Sequence, residues 1–343
     1  MSSAVVLSTV SIERNRRRDP SRPLISVIVP VYNEEACLVP LHRRLTEVLS
    51  KLDDSYEILF INDGSYDRSL EILRQLQLVD LHVGYHSFTR NFGHESASTC
   101  GLLEAQGQTV VIIDADLQDP PELIAELLDR WREGYDLIYA RRRSRQGETW
   151  LTRATSHAFY RLLDRMTRVD MPVDTGDFRL MDRAVVDAFA KLPERNRFVR
   201  GMIAWTGFRK TAVYYDRDAR LAGETKYNFA KRLGLALDAI CGFSTVPLRW
   251  ITYTGGITSA LAGAIFCLAL AIAIFSGLAS AGGTFLAASL TLLAGVQLLT
   301  IGLVGEYVGR ILIEVQGRPL YLLSESGTPM IRTPVTTGDR AAG

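Results

Sequence analysis

The sequence lacks an excess of charge of either sign. Its 343 residues include 39 Lys and Arg against 38 Asp and Glu, which leaves a formal net charge of +1. Nucleic-acid-binding proteins usually carry a strongly basic domain or face. The charge balance therefore gives no general support for nucleic-acid binding, and any anion site must be local.

Cysteine is scarce, and two common phosphate-binding motifs are missing. The four cysteines, Cys37, Cys100, Cys241 and Cys267, show no C-x-x-C or Cys/His spacing, which argues against structural zinc and indicates a reducing compartment. No G-x-G-x-x-G follows the first predicted strand, and no G-x-x-x-x-G-K-[ST] occurs. A dinucleotide-binding fold and a P-loop NTPase are therefore disfavoured.

One segment has no charged residues at all. No Asp, Glu, Lys or Arg occurs from Trp250 to Gly305, and a membrane-spanning helix needs roughly 20 apolar residues. The segment predicts two spanning helices, about Tyr253–Phe275 and Phe285–Val308, joined by the small and polar residues Ser276–Thr284. Basic residues flank the pair and the connection is uncharged, so the positive-inside rule predicts cytoplasmic ends. A buried helical hairpin in a soluble core is the alternative.

The part before this segment alternates β-rich runs with helical stretches. The predicted strands are Ile25–Pro30, Tyr56–Ile61, His82–Ser87, Thr109–Ile113 and Asp136–Ala140. The predicted helices are Glu34–Leu52, Asp67–Leu78, His94–Ala105 and Pro121–Glu133. Near-continuous apolar strands separated by helices indicate a parallel sheet covered on both faces. Ligands of such sheets bind at the carboxyl ends of the strands.

Acidic residues follow two of these strands. Asp63 follows the second strand and can accept hydrogen bonds from a base or ribose, with an ordinary Asx turn as the alternative. Asp114 and Asp116 follow the fourth strand, where two neighbouring carboxylates beside a core repel each other. Mg²⁺ or Mn²⁺ bridging a pyrophosphate would offset that repulsion. The sequence thus predicts a metal-assisted site for a departing nucleotide diphosphate.

Arginines follow the fifth strand, and two amphipathic segments lie beyond it. Arg141 is nearest the strand end and is the predicted ligand of an acceptor phosphate, with a solvated or headgroup-facing run as the alternative. The segments Trp150–Val169, which includes Arg153, and Lys226–Arg249 are predicted to lie at a membrane surface. For the first of them, an ordinary core-packing helix is the alternative.

Seven stretches carry a family resemblance. They are VIVPVYNEE (27–35), NDGSYD (62–67), RNFGHESA (90–97), DADLQDPPEL (114–123), DTGDFRLMDR (174–183), RFVRG (197–201) and RLAGETKYN (220–228). In this order they resemble the polyprenyl-phosphate glycosyltransferases, which are related to dolichol-phosphate mannose synthase. The resemblance implies an α/β fold: a GT-A, Rossmann-like catalytic domain with interfacial amphipathic helices and a C-terminal two-helix transmembrane hairpin. The NDGSYD stretch departs from many relatives by beginning with Asn62 instead of Asp.

The resemblance also implies a reaction. It is the inverting, metal-dependent transfer of a hexose from a nucleotide sugar, UDP-glucose by preference, to the phosphate of undecaprenyl phosphate for cell-envelope glycosylation. The implied nucleotide-binding residues are Pro30, Tyr32, Asn33, Glu34, Asp63, Gly64, Asn91, Asp114 and Asp116. The implied ligands of Mg²⁺ or Mn²⁺ are Asp114, Asp116 and Gln118, and the implied acceptor-phosphate residues are Arg141, Arg153, Arg220 and Lys226.

Asp177 and Asp116 are the implied catalytic residues. A lipid monophosphate has a second pKa of about 6 and is mostly a dianion at neutral pH, so it scarcely needs a general base. We therefore expect Asp177 to orient an arginine or to stabilise positive charge that develops on the sugar.

The expected organisation has five parts. They are a flexible arm (1–23), a GT-A domain (24–225), a juxtamembrane amphipathic region (226–250), two transmembrane helices (251–310) and a cytoplasmic tail (311–343). The expected location is the inner membrane, multi-pass, with the catalytic domain in the cytoplasm. The expected partners are a UDP-sugar, a polyprenyl phosphate, the bilayer and further copies of the chain, because Gly302, Gly305 and Gly309 permit close helix packing.

Two other functions stay open from the sequence. A processive polysaccharide synthase shares the nucleotide-binding half, but two spans make a poor polymer channel and no Q-x-x-R-W follows Asp177. A non-catalytic, membrane-anchored scaffold that binds nucleotide sugars is the second alternative. The presence of all the acidic residues named above disfavours it.

Overall fold

The computed structural model describes residues 22–52, 55–143, 175–216 and 279–330, together with part of 248–267. The described residues belong to two compact units. One holds a β-sheet with its helices, and the other holds apolar helices. Residues 1–21 of the predicted arm, the segment Trp150–Val169, nearly all of the segment Lys226–Arg249 and about half of the predicted first span lie outside the described residues.

The sheet unit contains eight described strands in one sheet. They are β1 (Ile25–Val31), β2 (Tyr56–Asn62), β3 (Val83–Phe88), β4 (Thr109–Ile112), β5 (Leu137–Arg142), β6 (Thr175–Asp182), β7 (Lys210–Tyr215) and β8 (Leu323–Gly327). Their order across the sheet is β7-β5-β6-β4-β1-β2-β3-β8. The α/β class predicted from the sequence is confirmed.

The helices of this unit follow the strands along the chain. They are α1 (Glu35–Leu49), α2 (Ser69–Val79), α3 (His94–Glu104), α4 (Ile124–Arg132), α5 (Arg183–Ala190) and α6 (Val199–Trp205). Short 3₁₀ turns at Ser50–Leu52 and Pro121–Leu123 continue α1 and precede α4. The five predicted strands and four predicted helices are therefore confirmed, with ends that differ by a few residues.

The prediction of a purely parallel sheet is wrong. Strands β1 to β5 and β7 run in one direction, but β6 lies antiparallel between β4 and β5, and β8 lies antiparallel beside β3. The sequence analysis missed β6 because Asp177 and Arg179 interrupt its apolar pattern, although both side chains are buried. Its antiparallel direction brings the start of β6 to the edge where β4 and β5 end.

The centre of the sheet is a rigid platform. Every residue of β1 and β2 is buried, as expected for strands covered on both faces. Leucines at helical spacing on α1, Leu38, Leu41 and Leu45, share one core cluster with Leu127 and Leu128 of α4. The strand ends that carry polar residues are thus fixed relative to one another.

The C-terminal region is more than a tail. Within the segment expected to be a cytoplasmic tail, Leu323–Gly327 forms the edge strand β8, which the sequence analysis did not predict. A bulge interrupts its pairing at Ser87/Phe88, and there the hydroxyl of Ser324 donates to the carbonyl of Ser87 at 3.0 Å.

The second unit contains one long apolar helix, Ala279–Gln316. Among the described residues, its part Leu293–Gln316 is the one helical segment long and apolar enough to cross a membrane, and Gly255–Ile265 is a shorter apolar helix. The predicted second span, Phe285–Val308, lies inside the long helix. The predicted connection Ser276–Thr284 is wrong from Ala279 onward, because those residues are helical. The two-helix hairpin and the multi-pass arrangement are not confirmed.

Candidate active site

The polar residues singled out in the sequence meet at one edge of the sheet. Asp63 follows β2, Asp114 follows β4, and Asp177 lies near the start of antiparallel β6. Arg142 ends β5, which is paired with β6. Parallel strands and one reversed neighbour therefore bring four charged side chains to the same edge.

Asp63 holds the loop that follows β3. Its carboxylate accepts hydrogen bonds from the backbone N–H of Phe92 at 2.6 Å and from that of Gly93 at 3.0 Å. Burial raises the pKa of Asp63, and these hydrogen bonds oppose the rise. A carboxylate has about four acceptor positions, so Asp63 keeps acceptor capacity for a further N–H group.

Gly64 lets this turn approach the same loop. Its φ is +63°, and a Cβ at this position would lie 2.3 Å from the carbonyl carbon of Arg90 and 2.6 Å from the nitrogen of Asn91. Both the backbone conformation and the space require glycine. The structure thus brings the predicted residues Asp63, Gly64 and Asn91 together.

The loop after β1 is joined to the loop after β2. The backbone N–H of Asn33 donates to Ser65 Oγ at 2.9 Å, and Asn33 Oδ1 accepts from the N–H of Tyr66 at 3.0 Å. The rings of Tyr32 and Tyr66 meet edge to face, with centroids 6.1 Å apart. The N–H of Glu34 donates to Ser69 Oγ at 3.1 Å. The predicted residues of this loop therefore border the turn that carries Asp63.

Pro30 lies one residue before the end of the same strand. It is buried inside β1 and pairs in register with Ile61 of β2. Proline has no N–H to donate, so this position of a central strand contributes one ladder hydrogen bond fewer.

Asp114 and Asp116 flank a sharp turn after β4. Asp116 is buried, and its Oδ1 accepts from the N–H of Gln118 at 3.1 Å. Burial raises the pKa of Asp114 to about 6; His94 opposes the rise, and the carboxylates of Asp177, Asp119 and Asp116 add to it. Leu117 has a φ of +60°, a conformation that costs free energy for a residue with a Cβ and is typical of functional turns.

This donor set fits a hard divalent cation. The carboxylates of Asp114 and Asp116 and the side chain of Gln118 belong to one turn, and a positive charge would stabilise the ionised form of Asp114, whose pKa is raised. A second set, His94, Asp114 and Asp177, has ligand atoms within 4.8 Å of one another. Asp177 is already bound by arginines, so the first set fits better, and Asp114 belongs to both.

Asp177 is the centre of an ionic cluster. Its carboxylate accepts two hydrogen bonds from Arg200, at 2.7 and 2.6 Å. Arg179 donates to it at 3.1 Å, and His94 Nε2 lies 3.1 Å away. Burial raises the pKa of Asp177, but Arg200 and His94 outweigh burial and hold that pKa well below its usual range. Asp177 is therefore ionised at neutral pH.

The two residues that begin α3 connect this cluster to its surroundings. Burial lowers the pKa of His94, but Asp177 outweighs it and raises the pKa to about 9. The neighbouring Glu95 accepts a hydrogen bond from the N–H of Val199 at 2.8 Å. This contact fixes the start of α6, whose second residue is Arg200.

Sequence reasoning assigned no role to Glu95, Arg179 or Arg200. The available signal was their position in the stretches RNFGHESA, DTGDFRLMDR and RFVRG.

The two arginines that end β5 have different surroundings. Arg141 lies against the ring of Tyr214, with its guanidinium carbon 5.6 Å from the ring centroid. Arg142 Nη2 is 3.9 Å from Asp119, and its Nε donates to the hydroxyl of Tyr215 at 3.3 Å. Asp119 therefore faces Arg142, which the sequence analysis did not select. Arg153, Arg220 and Lys226 lie outside the described residues.

Comparisons with known proteins find relatives over most of the chain. Residues 26–189 match glycosyl transferase family 2. The chain is 48% identical to the uncharacterized glycosyltransferase YkcC of Bacillus subtilis (strain 168), over 88% of this chain and 93% of the relative. It is 40% identical to the SfII prophage-derived bactoprenol glucosyl transferase of Shigella flexneri, over 88% of this chain and 98% of the relative.

Solved structures give a more distant likeness. Mannosyl-3-phosphoglycerate synthase from Rubrobacter xylanophilus superposes with a TM-score of 0.47 at 15% identity, over 68% of this chain and 75% of that chain.

Proposed function

The chain belongs to glycosyl transferase family 2 and is a glycosyltransferase, and on this premise we propose that it transfers a hexose from a nucleotide sugar to the phosphate of a polyprenyl phosphate. The observation that carries the proposal is the constellation of Asp63, Asp114, Asp116 and the Asp177–Arg200 pair at one edge of the sheet. Relatives named bactoprenol glucosyl transferase, at 40% identity over nearly their whole length, support the acceptor and favour glucose as the sugar.

The donor nucleotide would occupy the loops after β1, β2 and β3. Asp63 offers acceptor capacity to a base or ribose, and the loops of Asn33 and Asn91 border it. We propose UDP-glucose as the donor. Its diphosphate would lie toward Asp114 and Asp116.

A divalent cation, Mg²⁺ or Mn²⁺, would be held by Asp114, Asp116 and Gln118. When bound, it would neutralise charge that develops on the departing diphosphate. The carboxylates crowded around Asp114 repel one another, and this repulsion favours the binding of a cation at this position.

The acceptor phosphate would arrive as a dianion and would need cations more than a base. Arg142 ends β5 at this edge of the sheet, with Nη2 3.9 Å from Asp119, and we propose that it binds this phosphate. Asp177 would keep Arg200 in one orientation through its bidentate contact, and Arg200 would then stabilise negative charge between the reacting groups. Attack opposite the leaving diphosphate would invert the anomeric centre.

The membrane supplies the second substrate. We propose that the helix Leu293–Gln316 anchors the chain, together with the segment predicted as a first span, and that the catalytic unit faces the cytoplasm. Arg318 after the helix is consistent with the positive-inside rule. Oligomerisation through Gly302, Gly305 and Gly309 stays a prediction.

A transfer assay tests the function. The full chain in detergent is given undecaprenyl phosphate, Mg²⁺ and one labelled UDP- or GDP-sugar at a time, with Asp116→Ala as control. We expect label from UDP-glucose in the lipid fraction, and none with the control variant. Measurable nucleotide binding without transfer from any donor would contradict the proposal.

A further inference from the structure

The chain that follows the long apolar helix forms a strap on the edge of the sheet. The strap, Tyr321–Gly327, begins five residues after Gln316 and ends as β8 beside β3. At its far end, Glu325 accepts two hydrogen bonds from Arg74 of α2, at 2.9 and 2.6 Å. Just beyond the strap, Pro329 packs against Gly84, where a Cβ would lie 2.6 Å from the proline ring. The strap is therefore fixed along its whole length.

At its near end, the strap contacts both stems of the loop Thr89–Gly93, which we call the donor loop. One stem is the end of β3: the ring of Tyr321 stacks on Phe88 with centroids 4.8 Å apart and planes 10° apart. The other stem is α3: burial raises the pKa of the Cys100 thiol to about 12, and the neighbouring hydroxyl of Tyr321 opposes the rise. Tyr321 thus bridges the two elements between which the donor loop is suspended.

The strap also binds the first residue of the donor loop. The backbone N–H of Thr89 donates to the carbonyl of Leu322 at 2.9 Å. Inside the loop, the ring of Phe92 meets Phe88 edge to face at 5.8 Å, and Arg90 lies over Phe92 at 4.2 Å. One aromatic row therefore runs from the strap to the middle of the loop.

The donor loop in turn carries parts of the site at its C-terminal end. The N–H groups of Phe92 and Gly93 bind the carboxylate of Asp63, and the next residue is His94, the partner of Asp177. A displacement of the donor loop would therefore first move the carboxylate of Asp63, which we assign to nucleotide binding. Asp116, which follows a different strand, would be affected later.

We propose that Tyr321 is a positioning residue for the donor nucleotide: it holds the donor loop in the conformation that presents Asp63. The inference rests on the proposed function for the identity of the nucleotide. According to this proposal, nucleotide binding depends on a residue that follows the apolar helix in the sequence. That residue, Tyr321, lies 258 positions after Asp63.

The test compares three variants of the full chain in detergent. Tyr321→Leu removes the ring, Tyr321→Phe keeps the stacking, and Arg74→Gln removes the ion pair at the far end of the strap without touching either stem. Hydrogen exchange of the segment 88–94 is measured without nucleotide, followed by the Kd for UDP and for GDP and by KM and kcat for transfer. Tyr321→Met replaces the leucine variant if that variant does not fold.

We expect segment 88–94 to exchange faster in Tyr321→Leu and in neither of the other two variants. In Tyr321→Leu the Kd for the nucleotide should rise about tenfold, which is the effect of losing one aromatic pair. KM for the donor should rise by the same factor while kcat changes less, and Tyr321→Phe should restore most of the binding. Unchanged exchange in Tyr321→Leu, or an equal change in Arg74→Gln, would overturn the proposal whether or not a nucleotide binds. Nucleotide binding without sugar transfer in the unaltered chain would instead refute the proposed function and leave the exchange comparison valid.

Discussion

Replacing Asp177 with asparagine separates two roles for this carboxylate. In the native protein it balances the guanidinium groups of Arg200 and Arg179, and Arg179 is fully buried. An amide of the same shape leaves these charges without their counter-ion. Removing one partner of a buried ion pair costs about 3–5 kcal/mol. Because the side chain of Arg200 is 35% exposed, we expect the lower end of this range.

The stability change is measured by thermal unfolding of the full chain. About 3 kcal/mol corresponds to a midpoint lower by roughly 6–12 °C for a domain of this size. Asp177→Glu serves as the control that keeps the charge, and we expect it to recover part of the loss. An unchanged midpoint for Asp177→Asn would show that the ionic cluster does not stabilise the fold.

The catalytic consequence is read from the pH dependence of transfer. If Asp177 orients Arg200, the asparagine variant stays slow from about pH 7 to about pH 10, because the acceptor phosphate, with a second pKa of about 6, is already mostly deprotonated throughout that range. If Asp177 removes a proton, hydroxide replaces it and the rate rises toward high pH. A rate that recovers at pH 9–10 would therefore refute the positioning role.

Three further predictions follow from the geometry. Arg142→Gln should raise KM for polyprenyl phosphate about tenfold or more, and Arg141→Gln less, in steady-state assays; equal effects would contradict the assignment of Arg142. Gly64→Ala should weaken UDP binding in calorimetry by about 1–3 kcal/mol, because its φ is positive and its Cβ would meet the donor loop; unchanged binding would contradict the contact. Burial raises the pKa of Asp80, but hydrogen bonds from His82 and His42 outweigh it and hold that pKa below its ordinary value. The resulting stabilisation is complete above the unfolded pKa and is lost as the pH falls through the lowered folded pKa. Asp80→Asn should therefore lower the unfolding free energy by about 1–2 kcal/mol at pH 7 and by less near pH 3; equal losses at both pH values would contradict this sign.

The elements predicted from the sequence are those whose own residues determine them. Strands β1 to β5 are apolar runs, and α1, α2 and α4 have apolar residues at helical spacing, so local pattern is sufficient for these elements. Strand β6 carries Asp177 and Arg179, which are buried as an ion pair, and Arg200 of α6 also binds Asp177. Strand β8, with the sequence LSESG, has no strand pattern and is fixed by Arg74, which lies 251 residues away. Tertiary contacts of this kind cannot be read from one segment.

The site divides in the same way. Asp63, Asp114 and Asp116 were predicted to meet because they follow strands of one sheet, and the structure places them at one edge. To choose between Arg141 and Arg142, one must know to which side of the sheet each side chain of β5 points. The strand predicted from the sequence ended at Ala140, before both residues. The role of Glu95 depends on the packing of α3 against the start of α6, which no spacing in the sequence indicates.

The most direct test of the proposed reaction is the dependence of nucleotide release on the acceptor. The full chain is incubated with UDP-glucose and Mg²⁺, and free UDP is measured with undecaprenyl phosphate, with the unphosphorylated polyprenol, and without lipid. We predict UDP release with the phosphorylated lipid alone, in an amount equal to the glucose recovered in the lipid fraction. Release at the same rate without the lipid phosphate, or with no glucose in the lipid fraction, would contradict the claim that a polyprenyl phosphate is the acceptor.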